Sequence, residues 1–404
     1  MNEKYDVIIV GGAMVGGTLA CALADSPLRV AVIECADLPP FDSCSEHDLR
    51  VSALSIASER ILKHIGVWQG IEQRRLCPYR RMKVWEQSEV SASTLFTSDD
   101  IGYDHLGYIV ENRIVQLAIN DQIKQLSNVD LISPVEIAQI DYSAGSTLIE
   151  LADGRQLIAK LMVAADGGES RVRDAVGVGV HRWDYEQHAL VASVMTECEQ
   201  QDITWQQFTP TGPLAYLPLS GKRGSLVWYD TPATIKHVKG LSEDKFLEAV
   251  HERFPECLGR IEQCLSKGSF PLRRQHALSY QKEGVVLVGD AAHMIHPLAG
   301  QGVNIGLLDA AVLAEVLMEA VVNQGGPKFW SSDVLAIYEK RRRKHNLAIM
   351  QTMDVFYRVF SNDVLPLKLV RNLGLGLAGK FAPARNKVMS FAMGLEGDLP
   401  KIAQ

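Results

Sequence analysis

No apolar run in this chain is long enough to cross a bilayer, and no basic segment leads into a signal-type apolar stretch after Met1. The expected location is the cytoplasm. Cysteine is sparse: Cys21, Cys35, Cys44, Cys77, Cys198, Cys257 and Cys264 lie scattered, and no two form a CxxC pair. An odd, dispersed set argues against a disulfide framework or a zinc site and fits reduced thiols. A basic excess is also missing. The 41 Lys and Arg face 48 Asp and Glu, for a net charge of -7, which argues against bulk nucleic-acid binding. There are no internal repeats and no low-complexity segments. What remains is ordinary globular composition, 47% hydrophobic and 22% charged. At 404 residues the chain exceeds one small core, so two closely packed domains are expected.

The first motif is at the amino terminus. Tyr5–Val10 is a β-branched apolar run, as in a strand buried on both faces. Gly11-Gly12-Ala13-Met14-Val15-Gly16-Gly17 follows, then a helix expected over Thr18–Ala24 and a second strand, Arg29–Glu34, ending in an acid. Glycines let a backbone approach a pyrophosphate, a helix N-terminus supplies N–H donors and positive dipole, and an acid about 20 residues on binds a ribose hydroxyl. Gly11, Gly12, Ala13, Gly16 and Glu34 are therefore the candidate dinucleotide contacts. Ala13 stands where the pattern has its middle glycine; its methyl is expected to weaken cofactor affinity.

Arg50-Val51-Ser52-Ala53-Leu54 leads into a helix reaching about His64, and Arg50 is placed to face the cofactor. Pro78–Trp85 alternates like a strand, Gly107–Arg113 precedes a helix through Gln125, and Thr147–Lys160 reads as a hairpin turning at Asp153-Gly154. Leu161–Ala165 is a further buried strand ending in Asp166-Gly167-Gly168, with Ser170, Arg171 and Arg173 beyond. From Arg182 to Phe270, strand-like runs (Leu190–Thr196, Thr204–Phe208, Leu214–Leu219, Gly224–Tyr229) and one helix (Ser242–Phe254) suggest an inserted antiparallel sheet. Its aromatic residues read mostly as core, and the sheet as a wall for an apolar substrate.

Late in the chain, VVLVGDAAHMIHPLAGQGVNIG (Val285–Gly306) combines a buried strand, Asp290 at its carboxyl end, and a Gly300-Gln301-Gly302 turn that opens a helix. His293 and His296 read as loop histidines, since no third ligand makes a metal site with them. Ala310–Phe360 reads as helical. It carries the basic cluster Arg341-Arg342-Arg343-Lys344, and the mostly basic tail over Val364–Leu395 leaves two readings open: a solvated helical tail, or docking to an anionic membrane surface or partner.

Three motifs in fixed order, GGAMVGG, ADGGESRVR and GDAAHMIHPLAGQGVNIG, resemble those of the FAD-dependent aromatic hydroxylases related to p-hydroxybenzoate hydroxylase. RVSAL from Arg50 and HPLAGQGVN from His296, with CPYRRMKVWE, TWQQFTPTGP and SLVWYDTPA, are similar to the ubiquinone-biosynthesis branch, in particular the demethoxy-ubiquinol hydroxylase type. The resemblance spans nearly the whole chain. It implies an α/β fold: a Rossmann-like FAD-binding domain (1–75, 101–181 and 271–340), an inserted antiparallel-sheet substrate domain (76–100 and 182–270) and a helical C-terminal region (341–404). It implies bound FAD, with NAD(P)H as a transient co-substrate, since no second βαβ fingerprint is present. Reduced flavin would react with O2 to a C4a-hydroperoxide that hydroxylates a polyprenylated benzoquinol ring.

By position, Gly11, Gly12 and Gly16 would line the pyrophosphate, Glu34 the ribose and Asp290 the ribityl chain. Asp166 would serve both FAD and nicotinamide use, and Arg50 and Arg113 would lie beside the cofactor. Pro297 would shape the place where oxygen reacts. The helix opening at Gly300, Gln301, Gly302, Val303 and Asn304 would point its N-terminus at the flavin, stabilising reduced-flavin charge by about 1 kcal/mol. The expected partners are the quinol and O2, with membrane-surface or biosynthetic-complex contact through the basic C-terminal region. Homo-oligomerisation stays open.

Overall fold

The computed structural model describes residues 3–86, 89–143, 146–255, 259–295, 301–323, 326, 328–360 and 382–404. It shows a Rossmann-like α/β domain carrying an inserted, mainly antiparallel sheet and a helical C-terminal region.

At the centre of the first sheet lie β1 (Glu3–Val10), buried over Val7–Val10, and β2 (Val30–Ile33), buried throughout. That explains their continuous apolar reading: a parallel strand covered on both faces has no polar side to show. β1 pairs in parallel with β2 and with β11 (Gln156–Ala164); β2 pairs with β8 (Val129–Ile132), and β11 with β18 (Val285–Leu287). β9 (Ile137–Ser143), β10 (Ser146–Leu151) and β17 (Gln281–Lys282) extend this sheet antiparallel.

Helix α1 (Met14–Ala22) begins four residues before the expected Thr18, so Gly16 and Gly17 lie inside it. Glycine costs roughly 1 kcal/mol in a helix interior. It is required here because a Cβ on Gly16 would lie 1.9 Å from the Gly11 carbonyl oxygen, and one on Gly17 2.3 Å from Ile119 Cγ2. Close approach, not turn formation, explains these two glycines. Ile119 belongs to α4 (Asn112–Ile123), which packs on α1 together with α8 (Gln301–Val322).

The second sheet runs in the order β19 (His293–Met294), β16 (Ile261–Ala277), β12 (Val180–Thr196), β15 (Arg223–Asp230), β14 (Leu214–Leu219), β13 (Ile203–Phe208), β5 (Arg81–Glu86), β6 (Glu89–Thr97). Its pairings are antiparallel except β13 with β5. One face packs on α6 (Pro232–Lys239) and α7 (Glu243–Arg253) through Trp85, Leu190, Trp205, Tyr216, Trp228 and Phe254. α6 was not anticipated; Pro232 at its first turn and the Thr231 cap, which accepts from Thr234 N at 3.2 Å, start it.

β12 and β16 are 17 residues each and run straight through the expected boundaries at 181/182 and 270/271, carrying the chain between domains. A three-stranded sheet, β3 (Val51–Ser55), β7 (Gly107–Glu111) and β4 (Cys77–Tyr79), fills the angle between them.

The remaining helices are α2 (Ile56–His64), α3 (Trp68–Glu72), α5 (Arg171–Ala175), α9 (Ser332–Phe360) and α10 (Ala382–Ala392). α9 continues unbroken across the expected boundary at 340/341, and its Arg342 and Asn346 are fully buried. The three arginines of the run Arg341–Lys344 are committed to ion pairs, while Lys344 is exposed. Arg341 pairs with Glu315 and Asp398, Arg342 with Asp309, and Arg343 with Glu339. Among the described residues no helix is long and apolar enough to cross a membrane.

Candidate functional site

Gly11 has φ +99°, and a Cβ there would lie 2.4 Å from the Ala165 carbonyl oxygen. Only glycine suits this turn, which brings the ends of β1 and β11 together. Gly12 N–H donates to Glu34 Oε2 at 2.8 Å and Ala36 N–H to Oε1 at 2.9 Å, so the acid at the end of β2 is held at the lip of the turn. Ala13 caps α1 with φ -66° and ψ -168°, an ordinary extended conformation, and no side chain closes the cap. The backbone thus does not need glycine at 13, and the helix end stays open to an anion.

Asp166 follows β11, with Gly167 at φ +83° behind it. Its Oδ2 accepts from Val172 N–H at 3.2 Å, while Oδ1 is buried with no partner. Burial raises this carboxyl's pKa, against hydrogen bonds from Ser170 and from backbone N–H groups. An orphaned oxygen beside a glycine-bounded turn suits a ligand hydroxyl or amide.

Asp290 lies in the turn Gly289–Ala291 and is solvent-exposed. Even so, desolvation is the largest influence on it and raises its pKa; His293 and Arg50 oppose the rise and Asp309 adds to it. Asp290 thus presents an exposed carboxylate close to His293, Arg50 and Asp309. Arg50, itself exposed, is brought within electrostatic reach of Asp290.

α8 packs beside this turn. Among the described residues, a Cβ on Gly302 would meet nothing within 4 Å, so that face of the first turn is open. Val303 is half-buried against the main core. Asn304 faces inward: its Oδ1 accepts from Ser55 N–H (3.0 Å) and Ser58 Oγ (2.7 Å), and its Nδ2 donates to Ala53 O (2.8 Å). It ties α8 to β3 and α2. Gln301 is the first residue of α8. Pro297, His296 and Gly300 lie outside the described residues.

Arg113, expected beside the cofactor, is held by protein groups. Its Nε donates to Asp48 Oδ2 at 2.8 Å and its Nη1 to the carbonyls of Pro39 and Pro40. With Arg75, which holds Glu111 and the Ser45 carbonyl, it secures the segment leading to Arg50.

Two residues give the site its rigidity. Arg173, fully buried, donates from Nη1 to Gly168 O (2.9 Å) and Ala291 O (3.2 Å), joining the Asp166 and Asp290 turns. Asp309, also fully buried, accepts from His293 Nε2, Arg342 Nε (2.7 Å), Asn346 Nδ2 (3.0 Å) and Gly289 N–H (3.2 Å). Burial pushes its pKa up, but His293 and Arg342 outweigh that and hold it well below the usual carboxylate range. His293 is therefore a buried partner of Asp309, not a loop histidine. A lone acid within the apolar run Ile305–Ala314 was the available signal.

Glycine cradle, orphaned Asp166 oxygen, Glu34 at the second strand and open space at Gly302 together fit FAD. Leu217 and Leu219 of β14 pack with Ala53, Ile56, Tyr79 and Ile109 in an apolar seam between the inserted sheet and the three-stranded sheet. A cavity of about 450 Å³ beside Val250, Phe254 and Ile261 lies on the sheet's opposite face and takes no part in this site.

The sequence matches the model of the FAD binding domain over residues 4–353. It is 41% identical over 394 residues to the 3-demethoxyubiquinol 3-hydroxylase of Escherichia coli (strain K12), covering 98% of this chain and 100% of that protein. It is 35% identical to the mitochondrial ubiquinone biosynthesis monooxygenase COQ6 of Xenopus tropicalis, covering 96% and 93%. In structure it is similar to p-nitrophenol 4-monooxygenase PnpA from Pseudomonas putida DLL-E4, with TM-score 0.79, 20% identity, and coverage of 98% and 100%.

Proposed function

Because the chain belongs to the FAD-binding-domain family of flavoprotein monooxygenases that includes the ubiquinone-biosynthesis hydroxylases, we propose that it hydroxylates the ring of a polyprenylated benzoquinol, at the demethoxy-ubiquinol step. The observation that carries this reading is the 41% identity over essentially the full length of a demethoxyubiquinol hydroxylase. Overall, quinol, NAD(P)H, H+ and O2 give hydroxylated quinol, NAD(P)+ and water.

When bound, FAD supplies the hydride acceptance and oxygen activation that no side chain can provide. The chain's residues bind, orient and exclude water. Gly11, Gly12 and Gly16 admit the pyrophosphate to the end of α1, with Ala13 at its cap, and Glu34 takes the ribose hydroxyls. Asp166 and Asp290 hold polar groups from two turns that Arg173 locks together. Gly302, with Gly300, Gln301, Val303 and Asn304, offers the α8 N-terminus to developing negative charge. Arg50 brings a cation to the rim near Asp290, and Pro297 is assigned to the oxygen-reaction face. Arg113 acts one step back, by fixing the segment that carries Arg50. The apolar seam of Ala53, Leu217 and Leu219 keeps water from the ring.

A second reading is the same chemistry at another ring position or on another phenol. The quinone that accumulates in cells lacking this protein separates the two. Accumulated demethoxyubiquinone supports the first reading; an intermediate lacking a different oxygen replaces it. A catalytically silent flavin- or lipid-binding subunit is the third reading, favoured by NAD(P)H oxidation without hydroxylated product from any quinol tested. The polyprenyl tail partitions into lipid, so the proposal includes peripheral contact with the inner face of a membrane, or with a biosynthetic assembly, through the C-terminal region. Exposed Val355 and Phe391 and the exposed Lys387 support it.

A further inference from the structure

Helix α10 closes on a glycine. Gly394 has φ +69°, its N–H donates to the Phe391 carbonyl at 3.1 Å, and Leu395 N–H donates to the Ser390 carbonyl at 2.8 Å. This glycine-ended turn satisfies the last carbonyls of a helix from within. The Met393 carbonyl instead accepts the Ala57 N–H, at 3.3 Å. Ala57 lies in the first turn of α2, where N–H groups have no partner inside their own helix. The C-terminal end of α10 therefore caps the N-terminal end of α2, and the two dipoles meet with opposite sign.

The same turn of α2 holds the start of α8. Ser55 caps α2 by accepting from Ser58 N–H, and Asn304 of α8 accepts from Ser55 N–H and Ser58 Oγ. A Cβ on Gly394 would lie 2.9 Å from Ala57 Cβ and 3.7 Å from Ser55 Oγ. Gly394 and Asn304 thus share one anchor, residues 55–58. Met389 and Met393, 1% and 3% exposed, pack with Ala53 and Ile56, and the Ala53 carbonyl is the acceptor of Asn304 Nδ2. Further on, the chain returns to α8 and α2. Lys401 N–H donates to Glu315 Oε2 at 3.1 Å, Arg341 joins Glu315 to Asp398, and Arg60 Nη1 donates to the Ala403 carbonyl at 3.4 Å.

We propose that Met393 and Gly394 are positioning residues for the flavin: by capping α2 they hold Asn304, and through it the N-terminus of α8, in the orientation that favours the reduced cofactor. This rests on the reading above that α8 offers its N-terminus to developing negative charge. A loosened junction would leave FAD bound and make it harder to reduce.

The test takes three readings on the flavin-loaded full chain: the two-electron potential of bound FAD by equilibration with a reference dye, flavin per chain, and melting temperature. The variants are Gly394→Ala, Met393→Ala, and Gly394→Ala combined with Ala57→Gly. Asn304→Ala, which breaks the α8 anchor directly, is the control. Gly394→Ala and Asn304→Ala should each weaken binding of reduced relative to oxidised flavin by roughly fivefold, a shift of about 20 mV to more negative potential, with most of the flavin retained. Met393→Ala should shift it the same way by less. Ala57→Gly should recover part of the Gly394→Ala shift by removing the methyl that the new side chain meets. A lowered melting temperature with an unshifted potential in both Gly394→Ala and Met393→Ala marks a structural role and overturns the proposal. So does a potential moved by Asn304→Ala alone. If Asn304→Ala leaves the potential unmoved too, the placement of α8 at the flavin falls, and the positioning role with it. Should Gly394→Ala yield no folded protein, Met393→Ala, which strains no backbone, decides alone.

Discussion

Replacing Asp309 by asparagine should loosen the flavin site from behind, without touching a cofactor contact. The carboxylate is fully buried and pairs with His293 and with Arg342, whose guanidinium is equally buried. Removing one partner of such a pair costs about 3–5 kcal/mol, because the remaining charge has no water to turn to. With an unfolding entropy of about 2.1 cal/mol/K per residue over 404 residues, the melting temperature should fall by about 4–6 °C if the chain unfolds as one unit. Asp309 also accepts the Gly289 N–H, so the turn carrying Asp290 loses an anchor and bound FAD per chain should fall too. The assay is thermal melting with flavin quantification on the same sample. Adding Arg342→Met to Asp309→Asn removes the stranded charge and should recover part of the loss. A melting shift under about 1 °C, with full flavin, would refute the assignment of this buried centre.

Three further perturbations test the site and its frame. Gly16→Ala should lose FAD and soluble yield together, because the new methyl would sit 1.9 Å from the Gly11 carbonyl oxygen, a backbone atom that cannot yield; a flavin-replete variant would contradict the close packing. Gly302→Trp, by contrast, should fold with near-native melting and fail to retain FAD, since its side chain enters open space; full occupancy and turnover would refute that placement of the flavin. Burial, with cationic neighbours, pushes His47, His276 and His345 down to about 4. Because the unfolded chain takes these protons first, stability is fully present above pH 6.5 and lost as pH falls from 6.5 to 4, on the order of 3 kcal/mol per histidine at most. Urea titrations from pH 7 to 4.5 should show the decline, and a flat profile would contradict it.

The parts legible in the sequence were those written locally. β1 and β2 announced themselves as unbroken apolar runs because both faces are covered, and Glu34 stood where the β2 end requires. The start of α1 was misplaced because Gly16 and Gly17 look like turn residues, while the contacts that demand them, Gly11 and Ile119, are set by tertiary packing. The contacts of His293, read as a loop histidine, and of Arg113 were hidden because their partners Asp309 and Asp48 are 16 and 65 residues away. The packing of the Arg341–Lys344 run was hidden because three of its acids, Glu315, Asp398 and Asp309, lie on other elements.

The central claim is that this flavin cradle hydroxylates a quinol ring. Its most direct test is mass analysis of product after anaerobic reduction of the bound flavin with NAD(P)H and exposure to labelled O2, with a short-chain demethoxy-quinol present. One labelled oxygen atom incorporated into the ring, in an amount tracking flavin oxidised, is the predicted result. Complete flavin reoxidation with unaltered quinol across the substrate series would contradict it.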